Sequence, residues 1–402
     1  PTGPPAAPAR GEPPAAPRSR YPAPMKVLLD ATAIPADLGG VGRYVDDLVP
    51  ELINAGVNLA LAVQERDAAH FRAKAPRAHL FPVPGLLTNR GARMAWEQTG
   101  LPALIGRIRP DLLHSPHYTF PALHRVPVVV TLHDATFFTH PGAHSRLKRR
   151  FFTAAIRRAV RRADALVVPS AATRDETLRF VDGDPARFHI AHHGVDTSVF
   201  HPVDDAERER VAASLGLAGR RYIGFLGTLE PRKNVPNLIR AWVRAFHDDP
   251  DAPALVLAGG KGWDEGIEPA LAEVPDRMTV LRPGYLPLED LPGFLSGCEI
   301  LAYPSIAEGF GLPVLEAMAC GAAVLTTRET SLPEVGGDAV AYCGLDAPAI
   351  ARALVELDAH PQRRAALGAA AQERALGERF TWAASARSHV EAYKSAVARS
   401  RR

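Results

Sequence analysis

Two glutamates, Glu308 and Glu316, stand eight residues apart in the segment EGFGLPVLEAMA. Proline is favoured in the first turn of a helix, so Pro313 predicts a helix start, and the free amides of residues 309–312 would point at a ligand there. Glu308 then lies in the preceding loop and Glu316 one turn into the helix, so both can face one cleft. Carboxylates bind sugar or ribose hydroxyls well because their oxygens accept several hydrogen bonds. Burying them unpaired is costly, which favours binding over a purely structural role.

A second segment, GTLEPRKN, places Arg232 and Lys233 after an apolar run and directly before a helical pattern. Two positive charges and the amides of a helix N-terminus together can bind a diphosphate. A charge pair alone is usually a solvated surface feature, but the context of strand, glycine loop and helix favours a binding role.

A third segment, LGGVGRY, contains Gly40 and Gly42 and connects the first apolar run to a helical pattern. Glycines let the backbone approach a ligand closely. A dinucleotide fingerprint would need a further glycine at Val45, which disfavours an NAD-dependent oxidoreductase. A glycine turn that contacts no ligand is the alternative interpretation.

His133 directly follows the longest apolar run, Val126–Leu132, in the segment TLHD. Open α/β sheets bind ligands beyond the carboxyl ends of their strands, and the neighbouring Asp134 could orient the imidazole. A lone histidine is more often structural, but the expected position at a cleft favours a role in the site.

Apolar runs alternate with helical patterns along most of the chain, which predicts βαβ units and parallel sheets covered on both faces. The predicted strands are Val27–Leu29, Val57–Val63, Leu112–His114, Val126–Leu132, Ala165–Val168, Tyr222–Phe225, Leu255–Ala258, Thr279–Leu281, Ile300–Tyr303, Ala323–Thr326 and Val340–Tyr342. The predicted helices are Tyr44–Asn54, Ala92–Ile108, Ser145–Arg162, Ala171–Phe180, Val235–Phe246, Glu289–Ser296, Pro313–Cys320, Pro348–Ala359 and Trp382–Ala398.

The pattern pauses around residues 189–202, which predicts an interdomain linker. We therefore predict an α/β protein with two Rossmann-like, doubly wound domains, residues 25–195 and 196–380, that face each other across a cleft. Residues 381–402 form a last helix. The Pro- and Ala-rich residues 1–24 are expected to be a disordered extension or to precede the true start at Met25.

The composition is that of a globular protein. The chain has 402 residues with 47 Lys and Arg against 44 Asp and Glu, a formal net charge of +3, and this near balance argues against a nucleic-acid partner. The three cysteines lack CxxC spacing, which argues against a disulfide framework or a zinc site and fits a reducing, cytoplasmic compartment. No apolar run is long enough to span a bilayer.

At these motifs the chain resembles the retaining glycosyltransferases of family 4. The resemblance rests on the E-x7-E segment and on the ordered series GGVGRY, TLHD, HHGVD, GTLEPRKN and SLPEVGGDAVAYC, and it covers almost everything from Met25 onward. It implies the GT-B fold: an acceptor-binding N-terminal domain, a nucleotide-sugar-binding C-terminal domain, and a C-terminal helix that crosses back to the first domain. GVGRY and the WEQ of residues 96–98 also resemble bacterial mannosyltransferases that build surface polysaccharides.

The resemblance also implies residue roles. Arg232 and Lys233 would hold the donor diphosphate, Glu316 the donor ribose, and Glu308 the donor sugar, while His133 would lie beside the reacting centre. The remaining donor-binding residues would border the diphosphate or offer backbone amides: Gly40, Gly42, Gly309, Phe310, Gly311 and Leu312. The residues expected to be catalytic are His133, Glu308, Arg232 and Lys233.

The implied activity is transfer of mannose from GDP-mannose to a glycan or lipid-linked acceptor, with no metal and no cofactor. A UDP- or ADP-sugar donor such as UDP-glucose, a nucleotide-sugar epimerase or hydrolase, and a non-catalytic sugar-nucleotide-binding subunit are the alternatives. The sequence Asp182-Gly183-Asp184 formally matches the DxD motif of metal-dependent transferases. Its place beside Pro185, remote from the other motifs, favours a turn.

The segment Arg146–Arg162 has eight Lys and Arg and no acid, with apolar residues at helical spacing. Such a helix can dock on anionic membrane, which predicts peripheral contact with the inner face of the cell membrane. The alternative is an ordinary helix that packs its apolar stripe on the sheet and leaves the basic face in water. Both interpretations can hold together.

Overall fold

The computed structural model describes residues 25–34, 39–84, 89–143 and 145–401. The predicted N-terminal extension, residues 1–24, lies outside these ranges. The described chain folds around two parallel β-sheets, one in each half of the sequence. No helix within these ranges is long and apolar enough to cross a membrane.

The first sheet has seven parallel strands in the order β3-β2-β1-β4-β5-β6-β7. The strands are β1 Lys26–Asp30, β2 Asn58–Gln64, β3 His79–Val83, β4 Leu112–Ser115, β5 Val128–Thr131, β6 Ala165–Val168 and β7 Phe188–Ile190. The helices of this half are α1 Gly39–Asn54, α2 Ala68–Lys74, α3 Arg90–Ile108, α4 Thr136–Thr139, α5 Arg146–Arg162 and α6 Ala171–Phe180.

The second sheet has six parallel strands in the order β10-β9-β8-β11-β12-β13. Its strands are β8 Tyr222–Leu226, β9 Ala254–Ala258, β10 Val280–Gly284, β11 Ile300–Tyr303, β12 Val324–Thr327 and β13 Ala341–Cys343. The helices of this half are α7 Asp205–Ser214, α8 Val235–Phe246, α9 Ile267–Ala272, α10 Leu291–Gly297, α11 Leu312–Ala319, α12 Leu332–Gly336, α13 Ala347–Asp358 and α14 Pro361–Ala375, and α15 Trp382–Ser400 ends the chain.

In each sheet the first strand is central, the next two strands are added on one side of it, and the later strands are added on the other side. This is the doubly wound order, and it confirms the predicted pair of Rossmann-like units. The central strands are fully buried because helices cover both faces. In the first sheet, alternate residues face opposite layers: Leu29 packs with α1 and α15, and Leu28 packs with α3 and α5.

The structure corrects several details of the sequence prediction, and it adds six helices that were not predicted: α2, α4, α7, α9, α12 and α14. Strands β3 and β7 were missed because exposed or partly exposed residues occupy most of their positions, so they lack a buried apolar run. Strand β7 occupies residues 188–190, so the predicted linker starts after it. Helix α1 starts at Gly39 rather than Tyr44, so Gly40 and Gly42 lie in its first turn instead of a loop.

The last helix returns to the first domain, as predicted. Helix α15 packs against α1 and the strands of the first sheet through Tyr393 and Ala396, which are fully buried. Just before α15, the Phe380 carbonyl accepts a hydrogen bond from the Val195 amide, so the chain's two interdomain crossings lie side by side. A side chain at Gly194 would meet the Trp382 backbone nitrogen at 2.2 Å, which explains why a glycine stands at this crossing.

A buried chain of hydrogen bonds fastens α15 to the sheet. The Ser385 carbonyl can only accept, so His389 Nδ1 donates to it at 2.7 Å and leaves Nε2 as an acceptor. The Tyr44 hydroxyl therefore donates to His389 Nε2 at 2.6 Å, and its oxygen accepts from Thr131 at 3.0 Å. One carbonyl thus sets the direction of every bond in the chain.

The same direction continues through strand β4. His114 Nε2 donates to Thr131 Oγ1 at 2.9 Å, and His114 Nδ1 accepts from the Tyr393 hydroxyl, also at 2.9 Å. Every member is satisfied only if both imidazoles are neutral. Burial favours that state, lowering the pKa of His114 well below 6.5 and the pKa of His389 to about 4.

Acid should therefore destabilise the fold through His389. Its folded-state pKa lies below the ordinary 6.5, so the unfolded chain binds the proton first and stability falls as the pH drops from 6.5 towards 4. Between pH 7 and 5 this histidine should cost about 2 kcal/mol of unfolding free energy. We expect His389→Gln to show a correspondingly smaller loss in urea unfolding at the two pH values. Equal losses in both proteins would show that His389 is not held neutral.

Candidate active site

The site is built from loops at the carboxyl ends of strands in both sheets. In the second domain, Arg232 and Lys233 follow β8, and Glu308 follows β11. In the first domain, His133 follows β5. Parallel strands deliver their following loops to one edge of a sheet, and the two edges face each other here.

Glu308 lies at the centre of a buried charge cluster. Its Oε2 is 2.5 Å from Arg232 Nη1, and its Oε1 is 2.6 Å from Lys233 Nζ. Tyr303 and Ser305 donate hydroxyl hydrogen bonds to Oε1 at 2.9 and 2.7 Å. Only 6% of Glu308 and 5% of Lys233 is exposed, so these charges are isolated from water and depend on one another.

The pKa directions follow from this pairing. Burial raises the pKa of Glu308, but Arg232 and Lys233 outweigh burial and hold it at about 2. Burial and the neighbouring Arg232 lower the pKa of Lys233, against the opposing effect of Glu308. The pKa of Arg232 is raised because Glu308 and Glu230 overcome the effect of burial. The carboxylate of Glu308 is therefore ionised at any physiological pH.

The second glutamate, Glu316, is buried in α11 and has unmet hydrogen-bonding capacity. Neither of its carboxylate oxygens accepts a hydrogen bond of acceptable geometry from the described chain. Arg43 Nη2 of α1 approaches Oε1 to 2.5 Å, so the contact is an ion pair between the two domains. Burial raises the pKa of Glu316, and Arg43 opposes that rise. A buried carboxylate in this state can accept hydroxyl hydrogen bonds from a ligand.

The segment between the two glutamates closes the cleft. The Gly309 carbonyl accepts hydrogen bonds from Ser170 Oγ at 2.7 Å and Thr173 Oγ1 at 3.1 Å, both in the first domain. A Cβ atom at Gly309 would lie 1.8 Å from the His133 carbonyl oxygen, so only glycine allows this approach. A cavity of about 10 Å³, room for about one water molecule, lies beside Glu316 between the two domains.

The predicted amides also lie at this point. Gly311 has a φ of +100° and caps α11, which begins at Leu312. Phe310 is buried and packs its ring 5.0 Å from that of His193. Its backbone, with those of its neighbours, forms the helix N-terminus beside Glu308. Gly40 and Gly42 occupy the first turn of α1, across the cleft from this segment.

His133 is oriented differently from the prediction. Its Nε2 donates to the Pro116 carbonyl at 2.6 Å, while Asp134 Oδ1 accepts from the amide and hydroxyl of Thr136, the first residue of α4. The aspartate therefore does not orient the imidazole. Burial lowers the pKa of His133, which favours the neutral ring and leaves Nδ1 as an acceptor.

Sequence reasoning missed four residues of this site. Arg43 stands in the quoted motif GGVGRY but was given no role, and Tyr303, Ser305 and Glu230 were not singled out. Glu230 pairs with Arg232 at 2.6 Å, two residues away in the sequence. An acidic residue two positions before Arg232 was the one signal in the sequence that could have indicated Glu230. Tyr303 had the pattern of an ordinary strand residue and gave no such signal.

The other polar motifs are structural. Asp184 accepts from the Ala186 amide at 2.9 Å in the expected turn and pairs with Arg399 of α15. His192 bonds to Glu334 at 2.6 Å, linking the two domains. Within the described ranges, no group of three or more His, Cys, Asp and Glu side chains could hold a metal ion.

Two family models match the chain. Residues 38–199 match the model described as Glycosyltransferase Family 4, and residues 207–374 match Glycosyl transferases group 1. Together they include every residue of the site described above.

Curated relatives align over most of their length. The O-antigen chain mannosyltransferase B of Escherichia coli is 30% identical over 78% of this chain and 85% of its own. The alpha-maltose-1-phosphate synthase of Mycolicibacterium smegmatis is 30% identical over 93% of this chain and 100% of its own length. A GDP-mannose-dependent alpha-(1-6)-phosphatidylinositol monomannoside mannosyltransferase of the same organism is 28% identical over 89% and 95%.

Solved structures share the fold. The sucrose-phosphate synthase of Thermosynechococcus elongatus superposes with a TM-score of 0.73 at 21% identity, covering 92% of this chain and 98% of that one. Anabaena HepE in complex with UDP-glucose gives 0.71 at 18% identity, covering 91% and 98%. These likenesses, the matched family models and the paired sheets agree: the chain belongs to glycosyltransferase family 4, a hexosyltransferase with the GT-B fold.

Proposed function

We propose that this enzyme transfers mannose from GDP-mannose to a glycan or lipid-linked acceptor, with retention at the anomeric carbon and without a metal or cofactor. The observation that carries the proposal is the buried cluster of Arg232, Lys233 and Glu308 beside the N-terminus of α11. The donor sugar and base are supported by two relatives, named as an O-antigen mannosyltransferase and a GDP-mannose-dependent mannosyltransferase.

Arg232 and Lys233 stabilise the leaving group. When the sugar leaves, negative charge grows on the terminal phosphate of the nucleoside diphosphate. Arg232, Lys233 and the amides before α11 offer charge and donors in a water-poor place, where such stabilisation is strongest. Because Glu308 already fixes both cations, little rearrangement remains for the transition state.

The carboxylates hold the donor by its hydroxyls. Glu316 has free acceptor capacity for the two ribose hydroxyls once Arg43 leaves it. Arg43 has Asp47 one turn further along α1 as an alternative partner, since both line the cavity beside Glu316. Among the described residues Glu308 Oε2 accepts a hydrogen bond from Arg232 alone, so it keeps acceptor capacity for a sugar hydroxyl.

The reacting sugar lies against His133. The neutral imidazole presents Nδ1 as an acceptor for a sugar hydroxyl, which positions the sugar rather than attacking it. No carboxylate of the cluster is free to act as a nucleophile, because Glu308 is committed to two cations. We therefore assign attack by an acceptor hydroxyl on the leaving-group face of the sugar. The bond between the anomeric carbon and the phosphate oxygen breaks, that oxygen takes the hydroxyl proton, and the closed cleft excludes water.

The nucleotide is the first thing to test. We expect GDP to raise the thermal midpoint selectively over UDP and ADP, with the shift surviving EDTA. A ligand at a hundredfold excess over its Kd stabilises a protein by about 2.7 kcal/mol, enough to detect. A shift with UDP or ADP alone would keep the transferase and reject GDP-mannose. No shift with any of the three would overturn the donor site.

The diphosphate role of Lys233 is tested by Lys233→Ala. Losing one charge-assisted hydrogen bond, worth about 1.5–3 kcal/mol, should weaken GDP binding by about tenfold to a hundredfold and sharply reduce mannosyl transfer. Isothermal titration calorimetry measures the affinity. The matched control is Lys394→Ala, an exposed lysine of α15 that pairs with Glu391. Unchanged GDP affinity in Lys233→Ala would remove this residue from the site.

We further propose that α5 holds the enzyme at the anionic inner face of the cell membrane. Ile156, Ala159 and Val160 pack into the first domain. The apolar stripe of α5 therefore packs on the sheet, as expected for an ordinary helix of this fold. Arg150, Arg157, Arg161 and Arg162 remain exposed, together with Leu147, which is 80% exposed, whereas Arg158 is half-buried and donates to the carbonyls of Phe120 and Pro121. Charge complementarity with acidic headgroups supports membrane docking of this face.

Sedimentation with vesicles tests the docking. The protein should bind phosphatidylglycerol vesicles and not phosphatidylcholine vesicles. Replacing Arg150 and Arg161, both exposed, by glutamine should weaken binding by about thirtyfold, at about 1 kcal/mol per charge. The control replaces the exposed Arg352 and Arg387 in the same way. Equal binding by both double variants would contradict docking through α5.

A further inference from the structure

A row of hydroxyl side chains lies along the backbone that carries Glu308. We call residues 304–311, which connect β11 to α11, the donor loop. The hydroxyl of Thr327, the last residue of β12, donates to the Ser305 carbonyl at 2.6 Å, where the donor loop begins. Thr330 and Ser331 follow in the loop after β12, and their hydroxyls contact the donor loop further along. One neighbouring segment therefore supports the donor loop over most of its length.

Thr330 has an unusual backbone conformation. Its φ of +50° lies in the left-handed region, where a β-branched side chain is strained. In this conformation Thr330 Oγ1 accepts a hydrogen bond from the Glu308 amide at 2.8 Å. Glycine would adopt the same φ without strain, but it has no hydroxyl to offer that amide. Strain of this kind concentrates at functional sites, so the conformation points to a role for the Thr330 hydroxyl.

Ser331 occupies the N-cap position of α12 but does not cap the helix. A serine at this position usually accepts from an amide of the first helical turn, and among the described residues Ser331 makes no such bond. Its hydroxyl instead shares its hydrogen between the Glu308 carbonyl at 2.8 Å and the Phe310 carbonyl at 3.0 Å. The side chain is fully buried, so its one donor is committed to the donor loop.

The carbonyls and the amides of the donor loop differ in what they contact. The carbonyls of residues 308–310 all accept from hydroxyl groups, two of them from Ser331 and that of Gly309 from the first domain. The amides of residues 309–312, in contrast, donate to no other residue of the described chain. Successive free amides can bind an anion or the oxygens of a sugar. The hydroxyl contacts therefore fix the carbonyls and leave the amides for a ligand.

The same contacts complete the surroundings of Glu308. Its carboxylate is paired with Arg232 and Lys233, while its amide and carbonyl are held by Thr330 and Ser331. Both the side chain and the backbone of Glu308 are thus fixed from within the second domain. Without the Thr330 hydroxyl the Glu308 amide would lose its partner, and the peptide planes that follow would be free to rotate.

We propose that Thr330 and Ser331 are positioning residues of the donor site, whose hydroxyls orient the donor loop so that its free amides can bind the donor. Both act through the backbone of Glu308 and its neighbours rather than through the donor itself. The inference rests on the proposed function and extends the donor site to the loop after β12.

Substitutions at Thr330 separate the hydroxyl from the strained backbone. Thr330→Val keeps the side-chain shape and the strain, Thr330→Gly removes the strain, and both lose the hydroxyl. Each should weaken GDP binding by about tenfold in isothermal titration calorimetry, whereas Thr330→Ser, which keeps the hydroxyl, should bind within about twofold of wild type. Ser331→Ala should show the same loss as Thr330→Val.

The matched control is Thr279→Val. The Thr279 hydroxyl also accepts a hydrogen bond, from Arg220, but it lies just before β10, at the opposite edge of the second sheet from the site. This variant should keep the wild-type affinity for GDP. Thermal midpoints show that each variant folds.

Hydrogen exchange followed by mass spectrometry tests the contact without a nucleotide. The Glu308 amide should exchange about tenfold faster in Thr330→Val than in the wild-type protein and at the wild-type rate in Thr330→Ser. Unchanged exchange in Thr330→Val would show that Thr330 does not hold this amide and would overturn the inference.

The binding outcomes separate this inference from the proposed function. If GDP binds the wild-type protein and Thr330→Val equally well, or if Thr330→Ser binds as poorly as Thr330→Val, the positioning role is rejected and the donor site stands. If UDP or ADP binds the wild-type protein and GDP does not, GDP-mannose is rejected, and the same comparison with that nucleotide decides the role of Thr330. If none of the three binds, the donor site and the inference are both rejected.

Discussion

The site depends on one constraint: Glu308 is buried, ionised and paired with two cations. A carboxylate in this environment is tolerable only if its partners are held at hydrogen-bond distance, because an unpaired buried charge is far more costly than the pair. Arg232 and Lys233 meet that requirement from the neighbouring loop, and Tyr303 supplies a hydroxyl from the strand below. The pairing therefore fixes the loops after β8 and β11 relative to each other.

The loop after β11, held in place in this way, also contacts the first domain. The loop after β11 also supplies Gly309, whose carbonyl is taken up by Ser170 and Thr173 of the first domain. The ion pair of Arg43 with Glu316 makes a second contact across the cleft. The two domains are therefore joined across the cleft at Gly309 and at Glu316.

The crossover helix provides the opposing rigidity. The hydrogen-bond chain from Tyr393 through His114 to His389 joins α15 to β4, β5 and α1, the elements that carry His133 and Arg43. These hydrogen bonds hold in place the elements beneath the first domain's half of the site. The chain crosses between the domains at two adjacent points, near Gly194 and at Phe380, which a hydrogen bond from the Val195 amide to the Phe380 carbonyl joins.

The sequence by itself determined the alternation of short apolar strands and helices, hence the two doubly wound sheets, and the motifs that mark the family. These are local or periodic signals, and burial on both faces makes them strong. It did not reveal strands β3 and β7, because these two lack a continuous buried apolar run, whereas the edge strands β10 and β13 were predicted.

Only the tertiary structure decided the partners. Glu308 and Lys233 are 75 residues apart, and Arg43 meets Glu316 from the other domain, so no spacing rule could join them. The same holds for His133, where the sequence offered the adjacent Asp134 and the fold supplied the Pro116 carbonyl instead. Residue type and position along a strand indicate what a side chain can do. Which group it meets depends on how separate strands and domains come together, because contacts between distant segments are set by packing.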